Sequence, residues 1–212
     1  MPAAVIDRFN TSGSVDEFPK PALEPGTVLA RVTFAGLNPM DWKIRDGGAG
    51  EHPLPMILGQ DFAGVVEETA DDVTRVSPGM RVFGITRERG SYAEYTLVPE
   101  HRQDSPFALI PAGLEDATAA ALPTPGLTVL ACLALLGVER DTTLLIIGAG
   151  GAVGSIALQL AHLRGARVTA VVRPGQSAQA RAFGADEAVE VEHEVLGAVR
   201  AVHSQPFAAC SI

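Results

Sequence analysis

The sequence predicts an α/β plus β protein, in which a small irregular β module precedes a βαβαβ module. Three observations predict it. Up to about residue 125, short β-like runs alternate with proline and glycine. Residues 144–154 then read LLIIGAGGAVG, an apolar strand running through a glycine turn into a helix. Two further strands, Arg167–Val172 and Glu187–Val191, follow with the helical stretch Gln176–Phe183 between them.

In the front half the strands are Val28–Phe34, Gly64–Val66, Arg81–Ile85 and Tyr92–Val98, and they suggest a small barrel or a folded sheet. Tyr92 and Tyr95 alternate along the last of these and carry no assigned role. Asn38-Pro39-Met40-Asp41 reads as a helix start, with Asn38 as cap and proline in the first turn, where its missing N–H costs nothing. Trp42 follows on that helix, either filling the core or lining a pocket. Ala117–Leu136 is long enough to span a bilayer, yet Pro123, Pro125 and Gly126 interrupt it and Glu115 and Asp116 precede it. A broken pair of buried helices is the expectation there. The two modules are placed at 1–125 and 126–212, with the cleft between them as the natural site.

In the second module, Leu144–Ile147 suits a strand buried on both faces, and Ser155–Leu163 has apolar residues at helical spacing. A strand, glycine turn and helix in this order bring backbone N–H groups to a pyrophosphate at the positive end of a helix. The strict G-x-G-x-x-G pattern is not met; the window is A-x-G-x-x-G, with Ala149, Gly151 and Gly154. The candidate pyrophosphate residues are Ala149, Gly150, Gly151, Ala152, Val153 and Gly154. An acid at the end of the second strand would read the free ribose of NAD. Here that strand runs into Val172-Arg173-Pro174, with no acid until Asp186. Arg173 is a cation where a 2′-phosphate would sit, with Ser177 and Arg181 to assist from the next helix, so NADP(H) is expected over NAD(H). The alternative is a solvated surface arginine.

Composition sets bounds on partners. The 212 residues are 47% hydrophobic, enough for a core, and carry a net charge of -9, which argues against nucleic acid. Cys132 and Cys210 make neither a disulfide framework nor a C-x-x-C spacing. The start, MPAAVIDRFN, has no basic region followed by an apolar stretch. A cytoplasmic location without membrane insertion is expected.

Six segments, in order and spacing, resemble the medium-chain dehydrogenase/reductase superfamily. They are GLNPMDWKIRDG (Gly36–Gly47), LGQDFAGVVEE (Leu58–Glu68), PGMRVFG (Pro78–Gly84), GSYAEYTLVP (Gly90–Pro99), AAALPTPGLTVL (Ala119–Leu130) and LLIIGAGGAVG. Within it the chain is most similar to the zinc-independent quinone oxidoreductase and enone reductase branch. The resemblance implies a GroES-like domain followed by a Rossmann domain. It also implies what is missing. Asn38 stands where zinc-dependent members carry a catalytic cysteine, and Gly59-Gln60-Asp61 stands for their G-H-E. Neither asparagine nor glutamine is a usual zinc ligand. The four-cysteine lobe is absent, and His52, His101, His162, His193 and His203 show no metal spacing, so no zinc is expected.

Without a metal to polarise an alcohol, a substrate that accepts hydride readily is implied: a quinone or an α,β-unsaturated carbonyl. By the resemblance, Asn38 and Thr128 contact the nicotinamide end or the substrate, and Asp41 supports that loop. Asn38 reads equally as a plain helix cap, and Thr128 as a hydroxyl bonded to its own helix. Family members are substantially longer. The sequence stops near where a fourth Rossmann strand would begin, with Ala208 where relatives open that strand on an acid, and the ending resembles a truncation or a frame change. Without that strand LLII would be an open apolar edge, and a homodimer covering it is expected. Two further function classes stand beside the reductase: a trans-acting enoyl reductase of polyketide or fatty-acid assembly, and a truncated, non-catalytic member.

Overall fold

The structure is a computed structural model that describes residues 1–48, 52–86, 90–101, 103, 105–192, 195–202 and 207–211. His193, His203, Pro206 and Ile212 lie outside the described residues. The chain divides into two compact units, Met1–Thr124 and Pro125–Ile212.

The first unit contains β1 (Pro2–Ile6), β2 (Ser14–Glu17), β3 (Thr27–Gly36), α1 (Pro39–Arg45), β4 (Met56–Ile57), β5 (Asp61–Thr69), β6 (Arg81–Ile85), β7 (Tyr95–Pro99), β8 (Phe107–Leu109) and α2 (Asp116–Ala120). The strands form two antiparallel sheets, ordered β2-β1-β4 and β7-β3-β5-β6-β8. The sheets are tied where Ala3 bridges Ala93 and the Ala4 N–H donates to the Tyr92 carbonyl at 2.7 Å. Among the described residues they stay an open, folded pair, the second of the two forms expected. The bend has a local cause: β3 and β5 slip register at Leu29/Ala30 and again at Val32/Phe34, and such irregularities curve a sheet. Inward-pointing Val28 and Ala30 on β3, with Phe62 and Val66 on β5, alternate along their strands and meet Val82 and Val98 in one buried cluster.

The second unit is built from α3 (Pro123–Leu135), which begins at the boundary, then β9 (Thr143–Ile147), α4 (Ala152–Leu163), β10 (Arg167–Val172), α5 (Ser177–Ala182), β11 (Glu187–Glu190), α6 (Val195–Val202) and β12 (Ala208–Ser211). The sheet is parallel with order β11-β10-β9-β12. Leu144 and Ile146 of β9 and Val168 and Ala170 of β10 are buried against Ala157, Leu158 and Ala161 of α4.

The missing fourth strand is a point of correction. β12 opens at Ala208 and pairs in parallel with β9, from Ala208↔Leu144 to Ser211↔Ile147. β9 is therefore an inner strand, and the edge that was to drive self-association is covered by the chain's own last residues. Ala208-Ala209-Cys210-Ser211 is short and without periodicity, which is why it reads poorly as a strand from sequence.

The apolar stretch after residue 116 does split into two helices, α2 and α3, but the break falls at Ala121-Leu122. Pro123 and Pro125 lie in the first turn of α3, where a missing N–H disturbs nothing. α3 is also less buried than expected. Val129 and Leu133 are enclosed, whereas Leu127 and Leu130 are half-exposed and Leu135 is 87% exposed. Among the described residues, no helix is long and apolar enough to cross a membrane.

Candidate functional site

Two places concentrate polar chemistry, one in each unit. In the second unit a cleft of about 330 Å³ opens at the C-terminal ends of β9, β10 and β11. Gly148, Gly150 and Gly151 form one wall, and Arg173, Gln176 and Val191 lie on another. Gly148 takes a left-handed φ of +77° to turn the chain out of β9. Gly151 is the extended N-cap of α4 and has no side chain to cap it. The first-turn N–H groups of Ala152, Val153 and Gly154 have no acceptor within the helix. They lie in the positive field of the helix dipole, which favours an anion.

Gly154 has a packing role: a Cβ there would sit 2.5 Å from the Gly148 carbonyl oxygen, so α4 can begin this close to the turn only with glycine. A side chain at Gly150 would collide with the Gln176 carboxamide. The residues present thus fit the pyrophosphate of a dinucleotide, through open backbone donors on a turn stripped of side chains.

Ala149 is placed differently from its neighbours. Its side chain is buried and its N–H is already given to the Val171 carbonyl at 3.0 Å, so it shapes the turn without offering a donor. Arg173 lines the cleft, and its own N–H is held by the Gln176 Oε1 at 3.2 Å. Among the described residues no carboxylate is paired with the Arg173 guanidinium. Ser177 and Arg181 meet a carboxylate instead. The Ser177 N–H donates to Glu190 Oε1 at 3.1 Å, its hydroxyl also bonds that carboxylate, and Arg181 acts on the same group.

In the first unit the centre is a pair of buried aspartates. Register puts Asp61, the first residue of β5, opposite Gly36 at the end of β3 and two residues before Asn38. Asp61 Oδ2 accepts from Asn38 Nδ2 at 2.9 Å and from the Thr124 N–H at 3.0 Å, while Oδ1 accepts from the Thr124 hydroxyl at 2.6 Å. Burial pushes the Asp61 carboxyl above its ordinary value; these hydrogen bonds oppose the shift without cancelling it. Asp41 Oδ2 accepts from the Asn38 N–H at 2.7 Å, the backbone half of a capping box, and from the Tyr92 hydroxyl at 2.8 Å. Burial and then the Asp41 carboxylate hold the Tyr92 phenol well above its usual range. Asp41 Oδ1 is buried with no partner among the described residues. Gly59, at φ +88°, makes room for this arrangement, because a Cβ there would strike the Tyr92 ring.

The structure therefore brings Asn38 and Asp41 together. Thr128 lies exposed on α3. Trp42 is 51% exposed, which removes it from the core. Asp61, Thr124, Tyr92, Gly148 and Gln176 belong to these two places and were not singled out from sequence. Only Asp61 carried a usable signal: an acid opening the apolar run FAGVV is a buried charge in need of partners.

Residues 24–106 match the alcohol dehydrogenase GroES-like domain. A 2-methylene-furan-3-one reductase of Solanum lycopersicum is 36% identical over 186 residues, covering 82% of this chain and 47% of the relative. A quinone oxidoreductase of Sus scrofa is 37% identical over 163 residues, covering 74% and 48%. A trans-enoyl reductase of Aspergillus flavipes is 31% identical over 221 residues, covering 93% and 63%. The solved quinone oxidoreductase of Coxiella burnetii superposes with a TM-score of 0.86 at 31% identity, over 96% of this chain and 65% of that one. The chain belongs to the medium-chain dehydrogenase/reductase superfamily, in its quinone oxidoreductase branch.

A second superfamily structure, the Escherichia coli quinone oxidoreductase complexed with NADPH, has a TM-score of 0.82 at 26% identity, over 92% of this chain and 60% of that one. The chain spans about half the length of the first two curated superfamily relatives. Asn38 presents an amide whose N–H₂ faces a carboxylate. That orientation follows from the partners: every other group on Asp61 is a donor, so Asn38 must present its nitrogen.

Proposed function

We propose that this chain supplies the cofactor-binding and substrate-orienting parts of an NADPH-dependent, zinc-free oxidoreductase acting on a quinone or an α,β-unsaturated carbonyl. The observation that carries the proposal is the anchored Asn38 amide. One hydrogen of Nδ2 is given to Asp61; the other has no partner among the described residues and is offered to a substrate oxygen as negative charge collects on it. A bound nicotinamide supplies the hydride. The chain's residues do the rest. Ala152, Val153 and Gly154 offer N–H groups to the pyrophosphate, beside Gly150 and Gly151, and Arg173 offers its charge to the 2′-phosphate. Asp61 and Asp41 hold Asn38 by its side chain and by its backbone, so the donor is oriented before substrate arrives. Thr128 belongs to the proposal as a second contact near the cofactor. The NADPH-bound relative and the named quinone and enone reductases support this assignment. A cytoplasmic setting and a small-molecule substrate belong to it too.

The test is NADPH oxidation by the purified chain with a naphthoquinone, an alkenone and an enoyl thioester in parallel. Turnover of the quinone or enone that falls at least tenfold in Asn38→Ala, an effect of about 1.4 kcal/mol on the transition state, is the expected result. Turnover of the thioester alone would favour the trans-acting enoyl reductase, the second assignment, which the Aspergillus flavipes relative supports. Saturable NADPH binding with no turnover of any of the three would favour a non-catalytic member.

A further inference from the structure

Beside the end of the second strand, on its ladder neighbour, stands an acid that the second strand itself lacks. β10 ends at Val172 and passes into Arg173 with no carboxylate. In the β10–β11 ladder the partner of Val172 is Glu190, the last residue of β11. Glu190 thus stands one strand away from the place where dinucleotide sites read the ribose. It is also already engaged. It accepts the Ser177 N–H at 3.1 Å and the Ser177 hydroxyl, is reached by the Gly175 N–H, and lies within the influence of Arg181. Two backbone donors, a hydroxyl and a guanidinium are what a phosphate monoester would need. Here an internal carboxylate has them, while Arg173, on the cleft wall, has no carboxylate partner among the described residues.

We propose that Glu190 is an internal competitor for the ribose 2′-phosphate, and that it sets how strongly the cleft prefers NADP(H) over NAD(H). This rests on the NADPH assignment above and deepens it. With Glu190 in place, a 2′-phosphate meets Arg173 but is denied the Ser177 donors and feels a fixed negative charge. NAD(H) has no group to contest them and is indifferent to the carboxylate. The cation at Arg173 and the anion at Glu190 pull the preference in opposite directions, so neither residue alone predicts it.

Glu190 is exposed, so Glu190→Gln keeps the shape and an acceptor for Ser177 while removing the charge; Glu190→Ala removes both. Calorimetric titration of 2′,5′-ADP and 5′-AMP, the adenosine ends of NADP and NAD, reads the site directly. For both variants, 2′,5′-ADP is expected to bind about fivefold tighter than to the parent chain, the size of an exposed charge contact, with 5′-AMP unchanged. The gain should shrink as salt is raised. Unchanged affinity for both ligands, with the parent chain binding 2′,5′-ADP, overturns the proposal and leaves the NADPH assignment standing. Weaker 5′-AMP binding with 2′,5′-ADP unchanged also overturns it, by making Glu190 a ribose acceptor. Failure of parent and variants alike to bind either ligand overturns both.

Discussion

The two polar places of this chain handle their hydrogen bonds in opposite ways. In the first unit, donors and acceptors consume one another: Asp61 takes three donors and Asp41 takes two, all from within the unit. In the second, the turn after β9 leaves the start of α4 without a capping side chain and keeps side chains out of the way. The first arrangement fixes one amide in space. The second leaves a row of first-turn N–H groups without an acceptor in their own helix. Substitution in the first should therefore cost stability, whereas in the second stability and binding should separate, except where glycine is a packing requirement.

The sharpest break is at that exception. Gly154→Val would put a Cβ 2.5 Å from the Gly148 carbonyl oxygen and 2.7 Å from the Ala149 Cα, both backbone atoms that cannot give way. Urea denaturation should show a loss of about 4 kcal/mol, from the overpacking and strain class of effects. A loss under about 1 kcal/mol would mean that α4 can move off the turn.

Next comes Asp61→Ala, which strands the Asn38 amide and both Thr124 donors. A destabilisation of about 3 kcal/mol is expected by chemical denaturation. The pH dependence adds a sign. Asp61 is raised in the folded chain, so the folded state holds more protons than the unfolded one between the ordinary carboxyl value and the raised one. Its contribution is greatest below the ordinary value, declines as pH rises through that window and is level above it. Melting curves taken from about pH 4 upward should show a parent-minus-Asp61→Asn difference that declines through this window. A difference that rises through the same window would contradict the burial account.

Tyr92→Phe is a smaller probe of the same cluster. It removes one donor from Asp41 Oδ2 and leaves the Asn38 N–H in place. The expected cost is about 1 kcal/mol, together with a lower quinone or enone turnover if the loop carrying Asn38 loosens. No change in either measurement would mean that the Asn38 contact alone holds Asp41.

What could be read in advance follows the same divide. Arg81–Ile85 and Arg167–Val172 are apolar runs between turn residues, and both are strands over those residues. Asn38-Pro39 opens α1 because capping and proline tolerance are local properties. The glycine turn was legible for the same reason. Asp61 meeting Asn38 and Thr124 was not, because it depends on the register of β3 against β5 and on a helix starting more than sixty residues later. Glu190 reaching Ser177 depends likewise on two strands lying side by side. β12 reads poorly as a strand because small residues carry no period, and its identity as a strand comes from the partner it finds in β9.

The open donors of the second unit are the central claim, and cofactor binding tests it most directly. Fluorescence titration of the parent chain with NADPH and NADH, repeated on Arg173→Ala, should give saturable binding of both. NADPH should be the tighter, and Arg173→Ala should lower its affinity about fivefold while NADH is unaffected. No saturable binding of either nucleotide to folded protein would contradict the account.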